Sequence, residues 1–158
     1  MKTIKRLWQS ALRTTKQPKL SLVLVVHRMP LQAANTIRSL LPGYQRGCRA
    51  SDYEVIVVEN RSSELLDPGF LKGLPGNFRY ELRDETASTP VFAVNEAAKL
   101  ARGTMLGVMI DGARLVTPGI VRGILRAQAS IKNPVVSVPG YHIGSELQQT
   151  AVAKGYDA

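Results

Sequence analysis

The chain has one cysteine, Cys48, among 158 residues, so no disulfide can close within it. That usage fits a reducing compartment, and a lone thiol with no partner motif reads as inert. Aromatic residues are scarce, at 6%. Acids are outnumbered, with 12 Asp and Glu against 21 Lys and Arg, which leaves a net charge of +9. Long apolar runs are missing too: the longest clean one, residues 22–26, is strand-sized and far short of a bilayer span. The basic N-terminus lacks the apolar stretch that a secretory signal carries. The expectation from these absences is a cytoplasmic chain.

Several common site signatures are absent as well. No GxxxxGK[ST] occurs, so there is no P-loop, and no G-x-G-x-x-G follows the first apolar run. No serine sits in a G-x-S-x-G elbow, which removes the usual hydrolase reading. Two histidines and one cysteine are too few for a structural zinc site.

What is present is an α/β pattern. Hydrophobic residues make up 44%, mostly Val, Leu, Ile and Ala, as suits buried parallel strands. Residues 20–26 (LSLVLVV) read as a central strand covered on both faces. Pro30 suits the first turn of a helix, which Leu31, Ala34, Ile37 and Leu41 continue on one face. Residues 54–58 read as a second buried strand, and the strand–helix–strand order predicts a right-handed parallel unit. Residues 78–82 alternate like a half-exposed strand. Pro90 opens a further helix with Val91, Val94, Ala98 and Ala101 expected inward, and Gly103 closes it. Residues 104–110 read as a third buried strand, residues 120–125 as a helix, 135–138 as another strand, and 145–154 as a last helix.

Residues 1–19 stand apart. They carry six basic residues and no acid, with Ile4, Leu7, Trp8, Ala11 and Leu12 at helical spacing. Such a segment suits a membrane-surface contact at the inner face of a membrane; the plainer reading, which is preferred, is a frayed basic tail or a helix packed on the domain. The expected division is therefore a basic amphipathic segment, 1–19, and an α/β domain, 20–158.

In an open α/β sheet, ligands bind beyond the carboxyl ends of the parallel strands, where loops and free helix N-termini converge. Polar clusters fall at three such ends: His27 and Arg28, Glu59 and Asn60, and residues 111–114 (DGAR). Asn95 lies on the helix before the third of these strands. Asp111 before Gly112 also fits a simple turn, and Asn95 fits a helix-surface hydrogen bond.

The order of these segments resembles the family 2 glycosyltransferases of GT-A fold, within the nucleotide-diphospho-sugar transferase superfamily. Residues 25–28 (VVHR) resemble the family's P-V-Y-N strand end, and 53–62 (YEVIVVENRS) its E-I-I-V-V-D-N-x-S strand. Residues 93–95 (AVN) and 101–103 (ARG) are similar to its A-x-N segment and A-x-G helix end. Residues 110–113 (IDGA) and 117–119 (TPG) are similar to its D-x-D strand end and the P-G beyond.

The resemblance implies a three-layer α/β/α, Rossmann-like domain with a mainly parallel sheet, incomplete at its C-terminal side. It implies transfer of a sugar, with inversion, from a UDP- or GDP-type nucleoside-diphosphate donor to an acceptor hydroxyl. It places Val26 and His27 at the nucleobase, Glu59 at the base or ribose edge, Asn95 in the donor site, and Asp111 on a divalent Mg or Mn ion at the diphosphate. Ala113 stands where the second D-x-D carboxylate belongs, which weakens the cation site; Arg114 can pair with phosphate instead. The family's acceptor-side base is expected beyond residue 158, so no catalytic residue is assigned. Two other readings stay open: a nucleotide-binding module without catalysis, which Ala113 favours, and a basic adaptor acting through residues 1–19. The lack of aromatic platforms beside basic clusters argues against nucleic acid as its target.

Overall fold

In a computed structural model, the described residues are 17–85, 89–110 and 114–141, with 146, 150 and 154. Four strands form one sheet: β1 (Leu20–Val26), β2 (Tyr53–Asn60), β3 (Phe78–Arg83) and β4 (Met105–Ile110). Their spatial order is β3-β2-β1-β4, and every pairing is parallel. The connecting helices are α1 (Pro30–Ser39), α2 (Pro68–Lys72) and α3 (Val91–Leu100), and α4 (Ile120–Ser130) follows β4.

The two middle strands dictate the layering. Every residue of β1 and β2 is buried, because each strand has neighbours on both edges and helices on both faces. Alternation then sorts the side chains. Leu22, Leu24, Val26, Val55 and Val57 pack with Ala33, Ile37, Leu71, Val121 and Ile124, so α1, α2 and α4 share one face. Val23, Val25, Ile56 and Val58 pack with Ala93 and Ala97 of α3 on the other. The result is the expected α/β/α arrangement around a parallel sheet.

The amino end of the sheet is closed by polar bonds. Glu54 is 1% exposed, yet its carboxylate accepts from the Ser21 hydroxyl at 2.6 Å, the Arg102 N–H at 2.8 Å and the Arg102 guanidinium at 2.7 Å. Arg79 adds a second cation at 3.2 Å. Burial pushes this carboxyl up, but the Ser21 and Arg102 hydrogen bonds and the Arg79 charge outweigh it, and the net result lies below the usual glutamate range. Gly103 is required at this corner: a Cβ there would stand 2.6 Å from the Ser21 backbone nitrogen.

Three expectations need correction. Strand β4 is not buried on both faces: Leu106, Val108 and Ile110 are 44%, 45% and 52% exposed. Helix α3 lies over β1 and β2 and leaves that face of β4 uncovered. The inward residues of α3 are Ala93 and Ala97, with Val94 and Ala101 at the margin, while Val91 faces solvent. Residues 135–138 form no strand. A parallel strand outside β4 would need a left-handed crossover, because α4 lies on the α1 face, and such connections are strongly disfavoured. The expected 145–154 helix falls mostly outside the described residues, as does residues 1–16.

Candidate functional site

The loops beyond the carboxyl ends of β1, β2 and β4 come together because the register aligns those ends. Val26 pairs with Glu59, and Val25 with Ile110. At the tip of β1, Val26 is fully buried, whereas His27 and Arg28 are exposed. Arg28 adopts φ 56°, a left-handed conformation that a side chain with a Cβ takes at a cost. The chain bends there so that Pro30 can start α1. Backbone strain on a residue with a long cationic side chain, at the end of a central strand, is concentrated where ligands bind this kind of sheet.

At the tip of β2 the alternation separates two polar neighbours. Glu59 points to the α1 side and is wholly buried. Its carboxylate accepts from the Leu66 N–H at 3.0 and 3.2 Å and from the Tyr80 hydroxyl at 2.5 Å. Among the described residues no cation pairs with it. Burial raises this carboxyl above the ordinary range, and the Tyr80 and Leu66 hydrogen bonds offset that only in part. Glu59 thus binds the protein's own loop rather than an open cleft. Tyr80, a residue that the sequence did not single out, is its partner, and burial together with the Glu59 bond pushes its phenol up.

Asn60 is the other neighbour. It is 7% exposed, and its Oδ1 is buried with no hydrogen-bond partner. Two further buried atoms share that state, Asn77 Oδ1 and Arg79 Nε, both near the start of β3. A buried amide carbonyl without a donor is costly, so its presence at a strand tip calls for a reason.

The loop between β4 and α4 is tied down by hydroxyls of α1. The Arg114 N–H donates to Thr36 Oγ1 at 2.9 Å, and the Val116 N–H to Ser39 Oγ at 3.0 Å. Gln45 donates to the Thr117 carbonyl of the same loop at 3.0 Å and accepts from the Val121 N–H in the first turn of α4 at 3.3 Å. This fixes Arg114, with its side chain exposed, on the α1 side of the strand tips. Asp111 and Ala113 lie outside the described residues.

The structure therefore gathers Val26, His27, Arg28, Glu59, Asn60 and Arg114 around one end of the sheet. Asn95 is not among them: it is exposed on α3, turned away from Ala93 and Ala97, which face the sheet. A groove of about 590 Å³ runs between Thr104, Met105 and Leu106 and the 131–136 segment, at the opposite end of β4 from these groups. Among the described residues no three His, Cys, Asp or Glu side chains stand close enough to hold a metal ion. No helix among them is long and apolar enough to cross a membrane.

No known family profile matches the chain, and no curated protein matches it. Among solved structures, the fold is similar to that of S. aureus TarS 1–349, a glycosyltransferase. The TM-score is 0.61 at 16% sequence identity, over 77% of this chain and 38% of that one. The chain spans well under half of that neighbour, and likeness at this identity concerns architecture. The chain has a glycosyltransferase-like α/β fold.

Proposed function

We propose that this chain binds the nucleotide end of a nucleoside-diphosphate sugar at the carboxyl ends of β1, β2 and β4, as part of a family 2-like, inverting glycosyltransferase of GT-A type. The observation that carries the reading is the coincidence of three features at one end of a parallel sheet: the strained Arg28, the unpartnered Asn60 carbonyl and the anchored Arg114 loop. Val26 and His27 offer backbone groups and an exposed ring beside a nucleobase. Asn60 offers an acceptor for a base or ribose donor. Glu59 supports the 61–66 loop from below through the Leu66 N–H. Arg114, and Asp111 by sequence, take the diphosphate side.

A divalent cation fits this donor set only with the nucleotide's help. One carboxylate, Asp111, would hold it, and the remaining ligands would be phosphate oxygens and water, as is common for Mg²⁺. When bound, such an ion supplies charge neutralisation to the departing diphosphate. The residues of this chain then do the orienting, through the β1 and β2 tips. The acceptor hydroxyl still needs a base, for which the described residues offer no candidate.

Ala113 favours a second reading, a nucleotide-binding module without transfer. Isothermal titration of the chain with UDP and GDP, with and without Mn²⁺, separates the two. Binding that strengthens with Mn²⁺ supports the transferase reading. Binding indifferent to Mn²⁺ supports the module. No binding of either nucleotide defeats both.

A further inference from the structure

We propose that the outer surface of α1, α4 and the loop between α1 and β2 docks on a membrane surface rich in acidic phospholipid; this does not rest on the nucleotide reading. Charge is unevenly spread along the chain. Residues 27–51 carry Arg28, Arg38, Arg46 and Arg49 and no acid. Residues 112–145 carry Arg114, Arg122, Arg126 and Lys132 and no acid. Residues 52–110, by contrast, hold nine acids against six bases. The fold joins the two acid-free stretches, because α1 and α4 pack on one face of the sheet through Ala33, Ile37, Val121 and Ile124. All eight of these cations are exposed.

The centre of this surface is held by specific contacts. The Arg46 N–H donates to the Pro118 carbonyl at 2.7 Å, which seats the 43–49 loop against the start of α4. Gly47, at φ 72°, lets Arg122 lie across it: a Cβ there would stand 2.6 Å from Arg122 Cδ. Arg126 follows one turn later on α4. Among the described residues, none of Arg46, Arg122 and Arg126 has an ion pair. Asp52, which follows the loop, is taken by Arg49 at 3.0 Å. Like charges one helical turn apart repel, so a surface that gathers them without a counter-charge fits an anionic partner.

The side chains between the cations select the kind of anion. Leu31, Tyr44, Leu115 and Ile131 are large, apolar and exposed on these same stretches. Arginines interleaved with single apolar side chains suit phospholipid headgroups and the acyl boundary beneath them. A nucleic acid asks instead for aromatic platforms, and Tyr44 is the one exposed ring on α1, α4 and the loop between α1 and β2.

The test is co-sedimentation of the full chain with vesicles of phosphatidylcholine alone and of phosphatidylcholine mixed with phosphatidylglycerol. Wild type should sediment only with the acidic vesicles, and added salt should release it. The triple variant Arg46→Gln, Arg122→Gln, Arg126→Gln should partition roughly 100-fold more weakly, about fivefold for each charge lost. A matched triple, Arg61→Gln, Arg83→Gln, Lys99→Gln, removes the same charge from elsewhere and should bind nearly as wild type does. Both should keep the wild-type circular dichroism spectrum. If the first does not, Arg126→Glu alone, on the outward side of α4, should weaken binding roughly 30-fold. Failure of wild type to bind acidic vesicles overturns the proposal. So does an equal loss in both triples, which would make net charge the cause, or full binding by the first triple, which would place the contact elsewhere, as on residues 1–19. Capture of single-stranded RNA without capture of vesicles overturns it as well, in favour of a nucleic-acid surface.

Discussion

Strand β2 carries a buried glutamate near each end, and the two are treated in opposite ways. Glu54 at the amino end is wrapped by a serine hydroxyl, a backbone N–H and two guanidinium groups. Glu59 at the carboxyl end has one phenol and one backbone N–H, and no cation among the described residues. The first carboxyl is held below its ordinary range; burial lifts the second above it. Such a difference within one strand separates the end of the sheet that holds the fold together from the end that tolerates strain. Arg28 and Asn60 lie at that second end too. Local rules are broken most readily where function compensates.

The comparison breaks if the two glutamates respond alike. Glu54→Ala should have the largest effect. It strands the partly buried Arg79 and the Arg102 N–H without a counter-charge, for a loss of about 3–5 kcal/mol in denaturant unfolding. The pH dependence should differ in sign. Glu54 has a depressed folded-state pKa, so its contribution is present above the unfolded value and is lost as pH falls through the folded one. Glu59 has a raised one, so stability declines as pH rises from the ordinary carboxylate range to the folded value. Glu54→Gln should therefore flatten the acid side of the stability profile, and Glu59→Gln the side above it. The smallest effect belongs to Glu59→Gln at neutral pH. Its amide can still accept from Leu66 and meet Tyr80, so stability should move by no more than about 1 kcal/mol. A loss as large as that of Glu54→Ala would erase the distinction.

Much of the sheet was legible in the sequence. The mostly apolar runs of β1 and β2 and the placing of Pro30 follow from local chemistry, and the structure has them to within a residue or two. The alternation of 78–82 marked a half-exposed strand, and β3 is one, at the edge of the sheet. What was hidden depends on neighbours. An apolar β4 reads as buried whether or not a helix covers it, and only the path of α3 leaves Leu106, Val108 and Ile110 open. Residues 135–138 have strand chemistry, but crossover handedness gives them no place in the sheet. Of the site, the clusters at His27, Glu59 and Arg114 were readable as strand ends. The inward turn of Glu59, the bond from Tyr80 and the unsatisfied Asn60 carbonyl were not, since alternation at a strand's last residues depends on where the loop folds back. The Glu54 clamp had a signal: a charged residue at the start of a run otherwise apolar, with Arg102 just past the end of α3 and Arg79 on β3 to meet it.

The most direct test of the account is a residue-resolved amide map by ¹H–¹⁵N NMR as UDP is added. The account predicts shifts concentrated at Val26, His27, Arg28, Asn60 and Arg114, with Glu54 and its partners unmoved. Shifts confined to Thr104–Leu106 and the 131–136 segment, or none at saturating nucleotide, would contradict it.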